Sequence, residues 1–298
     1  MTLLMKAKQP ADSIYEGILE KVAGWKSRGI LPRLDIILVE GDAASSYYAQ
    51  AKQKIASKLG IHFELHSFPA NVKQAELLQV IQQLNEDDAV HGIMLELPLP
   101  DSIDTATIVQ AIDPLKDIDG VTPQNKLAVV TGAQGLYPAT PQACIKLVHH
   151  YGYTLQGKNV TLVGRGQTVG LPLFHMLQRE NATVTLCHSR TEDIAFHLAH
   201  ADVVFVAVGK ANMITKSMVK PHLVIVDAGI NELENGRIVG DVATDVGEVV
   251  SAISPVPGGV GTVTTSFLYQ NLLLALELQR EEGVRRWKTL GTNRSDSF

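Results

Sequence analysis

Cysteine is almost missing from this chain of 298 residues: Cys144 and Cys187 are the only two, far apart in sequence. They cannot supply a disulfide framework, so a reducing, cytoplasmic setting is expected. Long apolar runs are missing as well, and none approaches the roughly 18 residues of a membrane span. The opening MTLLMKAKQPADSIYEG has no extended apolar centre and no small-residue cleavage site, so no secretory signal is expected. There is no basic run, and the net charge is −5. Phosphate backbones are bound by clustered Lys and Arg, so a nucleic-acid partner is not expected. The ten histidines form no HExxH motif. His149 and His150 are adjacent near a helix end and point to different faces, so no metal is expected there.

What is present is apolar. Hydrophobic residues make up 45% and charged residues 19%, over the length of two ordinary domains, so a sizeable core can be buried. After a helical start, SIYEGILEKVAGWKSRG, the run LDIILVEG reads as a buried strand. A turn and a helix follow, capped by Ser45 and ending at Gly60. IHFELHSFP and VHGIMLELPLP read as further strands, with the helical KQAELLQVIQQLNED between them and the short helix TATIVQAID after them. This alternation predicts parallel sheet and an α/β fold. The segment DPLKDIDGVTPQNKLAVVTGAQGLYPATPQ reads as a long irregular loop that ends the first unit. From about Cys144 a second unit begins, and SFLYQNLLLALELQREEGVRRW reads as one long C-terminal helix.

In VTLVGRGQTVG, Gly164, Gly166 and Gly170 stand between a strand and a helix. Glycines there permit a tight turn and the approach of a pyrophosphate to the helix N-terminus. The alternative is a turn needed only for packing. At the end of the next strand, where an NAD site would place an acidic residue, the chain has CHSRT. Ser189 can donate a hydrogen bond and Arg190 carries a fixed charge, which suits a 2′-phosphate, and Arg165 can help. NADP is therefore favoured over NAD, although Arg190 also reads as a solvated loop charge.

In SSYYAQAKQK, Tyr48 and Lys52 are four apart and share one helix face. They follow the first strand, on the edge where open α/β sheets bind ligands. The third strand ends at Glu96 on that same edge. Tyr48, Lys52 and Glu96 can thus converge, joined by Asp117 or Asp119 from the long loop. A Tyr-x-x-x-Lys pair also serves short-chain dehydrogenases, but there it follows the nucleotide turn, and here it precedes it.

Taken together, ASSYYAQAKQK, GIMLELPLP, PLKDIDGVTPQN, VGRGQTVGLP, ATVTLCHSRT, ADVVFVAVGK, DAGIN and SPVPGGVGTVTTS resemble, in order, the motifs of the bifunctional methylenetetrahydrofolate dehydrogenase/cyclohydrolases. The resemblance covers most of the chain. It implies that Lys52 aids water attack on the methenyl bridge and proton movement, with Tyr48 at the folate ring. It implies that Asp119 binds the pterin, as a carboxylate can take two donors side by side. Ser45, Leu97, Pro98, Pro257, Gly258 and Gly259 would line the folate. Gly164, Arg165, Gly166, Val169, Gly170, Ser189, Arg190, Thr191, Val208, Gly209 and Ile230 would hold NADP. A homodimer is implied too.

Four places depart from the family pattern, the least of them Thr262 and Val263, where proline and methionine are common. Glu96 stands where the family usually has glutamine. A carboxylate beside Lys52 favours the ammonium, which cannot act as a general base. Cyclohydrolase activity is then weakened, unless Glu96 is protonated and mimics glutamine. The turn reads Gly-Arg-Gly where Gly-Arg-Ser is usual. Cys144 is not the family's cysteine.

The expected architecture is a folate-binding α/β domain over 1–144 with 276–298, and a Rossmann-type domain over 145–275. The C-terminal helix is expected to pack back on the first. The expected activity is NADP-dependent oxidation of methylenetetrahydrofolate and hydrolysis of the methenyl product. The alternatives are a dehydrogenase alone, another NADP oxidoreductase, or a non-catalytic NADP-binding module.

Overall fold

The structure, a computed structural model, describes residues 2–40, 43–233 and 235–292, with side chains described outside 43–48 and 283–292. In chain order the elements are β1 (Leu3–Leu4), α1 (Lys8–Lys26), β2 (Arg33–Val39), α2 (Ala43–Leu59), β3 (His62–Phe68), α3 (Gln74–Glu86), β4 (Gly92–Leu95), α4 (Thr105–Ala111), α5 (Pro123–Thr131), α6 (Ala139–His150), β5 (Asn159–Val163), α7 (Gly170–Arg179), β6 (Thr183–Cys187), α8 (Ile194–Ala199), β7 (Val203–Val206), β8 (Val224–Asp227), β9 (Asn231–Glu232), β10 (Ile238–Val239), β11 (Ala252–Ile253) and α9 (Val260–Thr292). No helix among the described residues is long and apolar enough to cross a membrane.

The chain divides into two compact units. One holds 16–126, 134–137 and the chain from 268 onward; the other holds the chain up to 15, 127–133 and 138–267. The expected boundaries differ from this division at three places. The N-terminal residues join the second unit because β1 pairs in parallel with β11. Cys144 lies inside α6, buried, where no boundary can fall without cutting a helix. Residues 268–275 belong with the first unit, where Tyr269 and Asn271 hydrogen-bond to backbone carbonyls of Lys52 and Ile118.

The first unit is built on a parallel three-stranded sheet in the order β3-β2-β4. The central strand, RLDIILV, is buried from Leu34 onward, as a strand covered on both faces must be. On α3, Leu77, Ile81 and Leu84 recur at helical spacing and are buried. They pack with Ile37, Val39, Ile93 and Ile108 into one core. Asp104 caps α4 by accepting the Ala106 N–H at 3.2 Å.

The long segment after α4 is not the irregular loop expected. It contains α5 and the start of α6. Pro123 is the first helical residue of α5, where its missing N–H costs nothing, and the Thr122 hydroxyl accepts the Asn125 N–H at 3.4 Å. The polar stretch PQNK hides this helix from an apolar-periodicity reading.

The second unit carries a parallel six-stranded sheet in the order β1-β11-β8-β7-β5-β6. The chain steps from β5 to β6 on one side and then returns to β7 on the other. This reversal makes a switch point between β5 and β7, where ligands bind beyond the carboxyl ends of the strands. Val163, Val204, Val206, Leu198 and Ile225 fill part of its core. β9 and β10 form a small antiparallel pair outside this sheet.

Candidate active site

In the first unit, a lysine and a glutamate meet at the carboxyl end of the sheet. Lys52 projects from α2, and its Nζ donates to Oε1 of Glu96, the residue after β4. Both are buried, at 9% and 7% exposure, so neither charge is well hydrated without the other. The backbone is held from both sides. The Glu96 N–H continues the sheet by donating to the Ile37 carbonyl at 2.9 Å. The fully buried Tyr269 hydroxyl, from α9, donates to the Lys52 carbonyl at 2.6 Å.

The loop KDIDG adds two carboxylates with different roles. Asp117 is buried and accepts the Val121 N–H at 3.1 Å, the Thr122 N–H at 2.8 Å and Asn125 Nδ2 at 2.9 Å. Its oxygens therefore shape the loop. Lys116 faces away and donates to the carbonyls of Leu84, Asn85 and Asp87 at the end of α3. Asn271 donates to the Ile118 carbonyl at 2.8 Å. Between these anchors Asp119 is partly exposed. No hydrogen bond to its carboxylate is seen among the described residues. Protein atoms crowd it even so, and burial pushes its carboxyl up to about 7; the Asp117 carboxylate adds to this, Lys52 opposes it, and Glu96 adds again. Near neutral pH Asp119 can thus donate or accept a proton toward a heterocycle.

In the second unit the site is made of backbone. Gly164 directly follows β5 with φ +116, and a Cβ there would overlap the carbonyl oxygen of Ala207. A Cβ on Gly170, the first residue of α7, would overlap Gly164 itself. These glycines let β5, β7 and α7 converge. Gly166 differs: open space surrounds its Cβ position. No side chain caps α7 at Val169, but the Leu171 N–H donates to the Gly166 carbonyl at 3.0 Å and Pro172 carries no N–H, so Gly170 is the first-turn amide placed to meet an anion. Arg165, Ser189 and Arg190 are exposed. The Thr191 hydroxyl accepts the His188 N–H at 2.9 Å and so shapes the turn that presents Ser189 and Arg190. Gly209 and Ile230 are exposed and Val208 partly so, at the ends of β7 and β8. Gly258 has φ +97 with open space at its Cβ position, whereas a Cβ on Gly259 would overlap the Pro255 carbonyl. A glycine cradle, an uncapped helix start and exposed Ser and Arg side chains fit a phosphate-bearing dinucleotide with a 2′-phosphate.

The comparisons with known proteins agree with both halves. Residues 5–119 match the model of the tetrahydrofolate dehydrogenase/cyclohydrolase catalytic domain, and 138–280 match that of its NAD(P)-binding domain. The chain belongs to the tetrahydrofolate dehydrogenase/cyclohydrolase family. It is 51% identical to the bifunctional protein FolD of Heliobacterium modesticaldum over 91% of this chain and 95% of that one. A FolD crystal structure from Campylobacter jejuni, 38% identical, superposes with a TM-score of 0.90, covering 94% of this chain and all of that one. The Trypanosoma brucei enzyme, complexed with NADP cofactor and inhibitor, gives 0.88 at 33% identity, covering 93% and 98%.

Within this family member, Lys52, Glu96 and Asp119 come together as the sequence predicts. Leu97 and Pro98 continue from Glu96, the first partly exposed and the second exposed. The predicted Ser45 and Tyr48 lie on the first turns of α2, and their side chains fall outside the described residues. Of the two candidate loop carboxylates, Asp117 is taken up by backbone and Asn125 donors, and Asp119 lies within electrostatic reach of Lys52 and Glu96. The supporting groups Lys116, Asn125, Tyr269 and Asn271 were not read from sequence. Only the polar density of LKDIDGVTPQN signals the first two; Tyr269 and Asn271 sit in an unremarkable apolar helix.

Proposed function

We propose that this chain oxidises 5,10-methylenetetrahydrofolate with NADP and hydrolyses the resulting 5,10-methenyltetrahydrofolate to 10-formyltetrahydrofolate. One observation carries the reading: the buried Lys52–Glu96 pair beside Asp119, in a chain of this family. NADP, when bound, supplies the hydride acceptor. The glycine turn, Val169, Val208 and Ile230 would orient it, and Arg165, Ser189, Arg190 and the turn closed by Thr191 would receive its 2′-phosphate. Hydride loss needs little acid–base help, because the cation formed is stabilised by its own nitrogen, so orientation is the main contribution.

Hydrolysis needs proton handling. Water adds to the methenyl carbon and loses a proton. The adduct then opens as its bond to N5 breaks, leaving the formyl group on N10. Lys52, with Glu96 as partner, is the group placed to take and return that proton. Asp119 would hold the pterin. Tyr48, one turn before Lys52 on the same face, would lie at the folate ring with Ser45. Leu97, Pro98, Pro257, Gly258 and Gly259 complete the folate contacts in this reading. A cytoplasmic homodimer without nucleic-acid partner belongs to it too, supported by the resemblance, the two buried free cysteines and the missing basic runs.

A coupled time course with methylenetetrahydrofolate and NADP tests it. Methenyl absorbance should rise and then decay faster than in an enzyme-free control. Decay at the control rate would remove the hydrolytic half, and no rise would remove the whole.

A further inference from the structure

At the carboxyl end of the second unit's sheet, two buried aspartates organise the loops that the function assigns to the cofactor. Asp241 is fully buried. Its Oδ2 accepts the N–H groups of Val208 at 2.7 Å and Gly209 at 3.0 Å, and its Oδ1 accepts Lys210 N–H at 2.8 Å and Asn231 Nδ2 at 2.9 Å. Three successive amides converging on one anion form a nest, a backbone concavity that otherwise captures external anions. Here an internal carboxylate fills it.

Asp241 is itself held by Asp227, the last residue of β8. The Asp227 carboxylate accepts the N–H groups of Gly229 at 2.9 Å, Asp241 at 3.1 Å and Val242 at 2.9 Å, and its own N–H donates to Ser254 Oγ at 2.8 Å. The sequence leaves room for both. A Cβ on Gly229 would overlap the Asp241 carboxylate, and one on Gly240 would overlap that of Asp227. The loop after β7 and the turn after β8 thus hang on one side chain, next to the switch point between β5 and β7.

We infer that Asp241 is a positioning residue for NADP: its carboxylate fixes residues 208–210 and Asn231 against the cofactor and closes their amide nest to the cofactor's phosphates. The charge matters as well as the shape. A carboxylate is acceptor-only and can serve four donors, whereas an asparagine in its place would aim an N–H at amides that also donate.

This inference rests on the proposed NADP-dependent dehydrogenase reading. The test is Asp241→Asn in the full chain, with steady-state kinetics for both reactions and apo thermal melting. The expected result is a KM for NADP raised at least tenfold, about 1.4 kcal/mol. The dehydrogenase kcat at saturating NADP and the KM for methylenetetrahydrofolate should stay within about twofold. Hydrolysis of supplied methenyltetrahydrofolate uses no cofactor and is the internal control. A merely structural role would lower kcat and melting temperature with the NADP KM unchanged, and that pattern would overturn the inference. Should Asp241→Asn fail to fold, Asn231→Ala removes one of the four donors. A selective rise in NADP KM there supports the inference, and no change overturns it. A wild-type enzyme inactive with NADP would sink the underlying function instead.

Discussion

The two units build their sites from opposite materials. In the first, charged side chains face one another: Lys52 with Glu96, and Asp119 beside them. In the second, the glycine turns and backbone make most of the site surface, with the exposed Arg165, Ser189 and Arg190 at its edge and two carboxylates, Asp227 and Asp241, buried behind it. The difference follows from the two tasks. Moving a proton requires titratable groups at the reacting atoms, whereas holding a large anionic cofactor requires close backbone approach and fixed dipoles. Damage to the first unit should therefore change rates, and damage to the second should change affinity.

The strongest way to sharpen this contrast is Lys52→Met. Methenyl hydrolysis should fall by roughly 100-fold or more, while calorimetric NADP affinity stays at the wild-type value. Retained hydrolysis would remove Lys52 from the chemistry.

A second test separates charge that serves chemistry from charge that serves the fold. His91 is buried in the first unit, and its Nδ1 accepts the Arg33 N–H at 3.1 Å. Burial, reinforced by Lys116, Arg280 and Arg33 and opposed by Asp87, lowers its pKa to about 4. The unfolded chain takes up this proton near its ordinary value of about 6.5, and the folded chain resists. Stability is lost as pH falls from 6.5 toward 4, by up to about 3 kcal/mol. In His91→Gln the slope of stability against pH over that window should flatten in urea melts. An unchanged slope would assign the acid sensitivity elsewhere. Asp227, raised to about 6 chiefly by burial, acts with the opposite sign. Its charging cost is relieved as pH falls below 6, and that of Asp119 in the first unit as pH falls below about 7, so the His91 contribution is read from the difference between wild type and His91→Gln, not from the net acid resistance of either unit.

Gly164→Ala tests the backbone half. The residue must leave φ +116 or push its Cβ into Ala207. The cost is about 1–3 kcal/mol, read as weaker NADP binding and a lower melting temperature. Hydrolysis should continue. Loss of hydrolysis in a folded variant would break the separation between the units.

The smallest expected effect is that of Glu96→Gln. Glutamine keeps an acceptor for Lys52 but removes the carboxylate's charge from the pair. Hydrolysis should rise a few-fold, on the order of 1 kcal/mol or less in barrier, with the dehydrogenase rate unchanged. Equal rates in both variants would show that the carboxylate does not restrain Lys52.

Sequence alone determined the elements and much of the site. Strand and helix alternation announced parallel sheets, because buried strands and amphipathic helices write different periods into the chain. Gly164 and Gly170 were legible because tight turns leave few other choices of residue. Lys52 and Glu96 were legible because one lies on the helix that follows β2 and the other directly follows β4, at the edge where such sheets place ligands. Other features were decided only by the tertiary structure. Nothing local distinguishes Asp117 from Asp119; one is taken up by backbone amides and the other left open because of how the loop is pinned by Lys116 and Asn271. Likewise Asp241 follows a glycine after a two-residue strand, with no spacing that ties it to Val208 thirty-odd residues earlier. Its role arises when three amides and a carboxylate distant in sequence meet, and side-chain spacing along a chain cannot encode a contact made by the backbone of another loop.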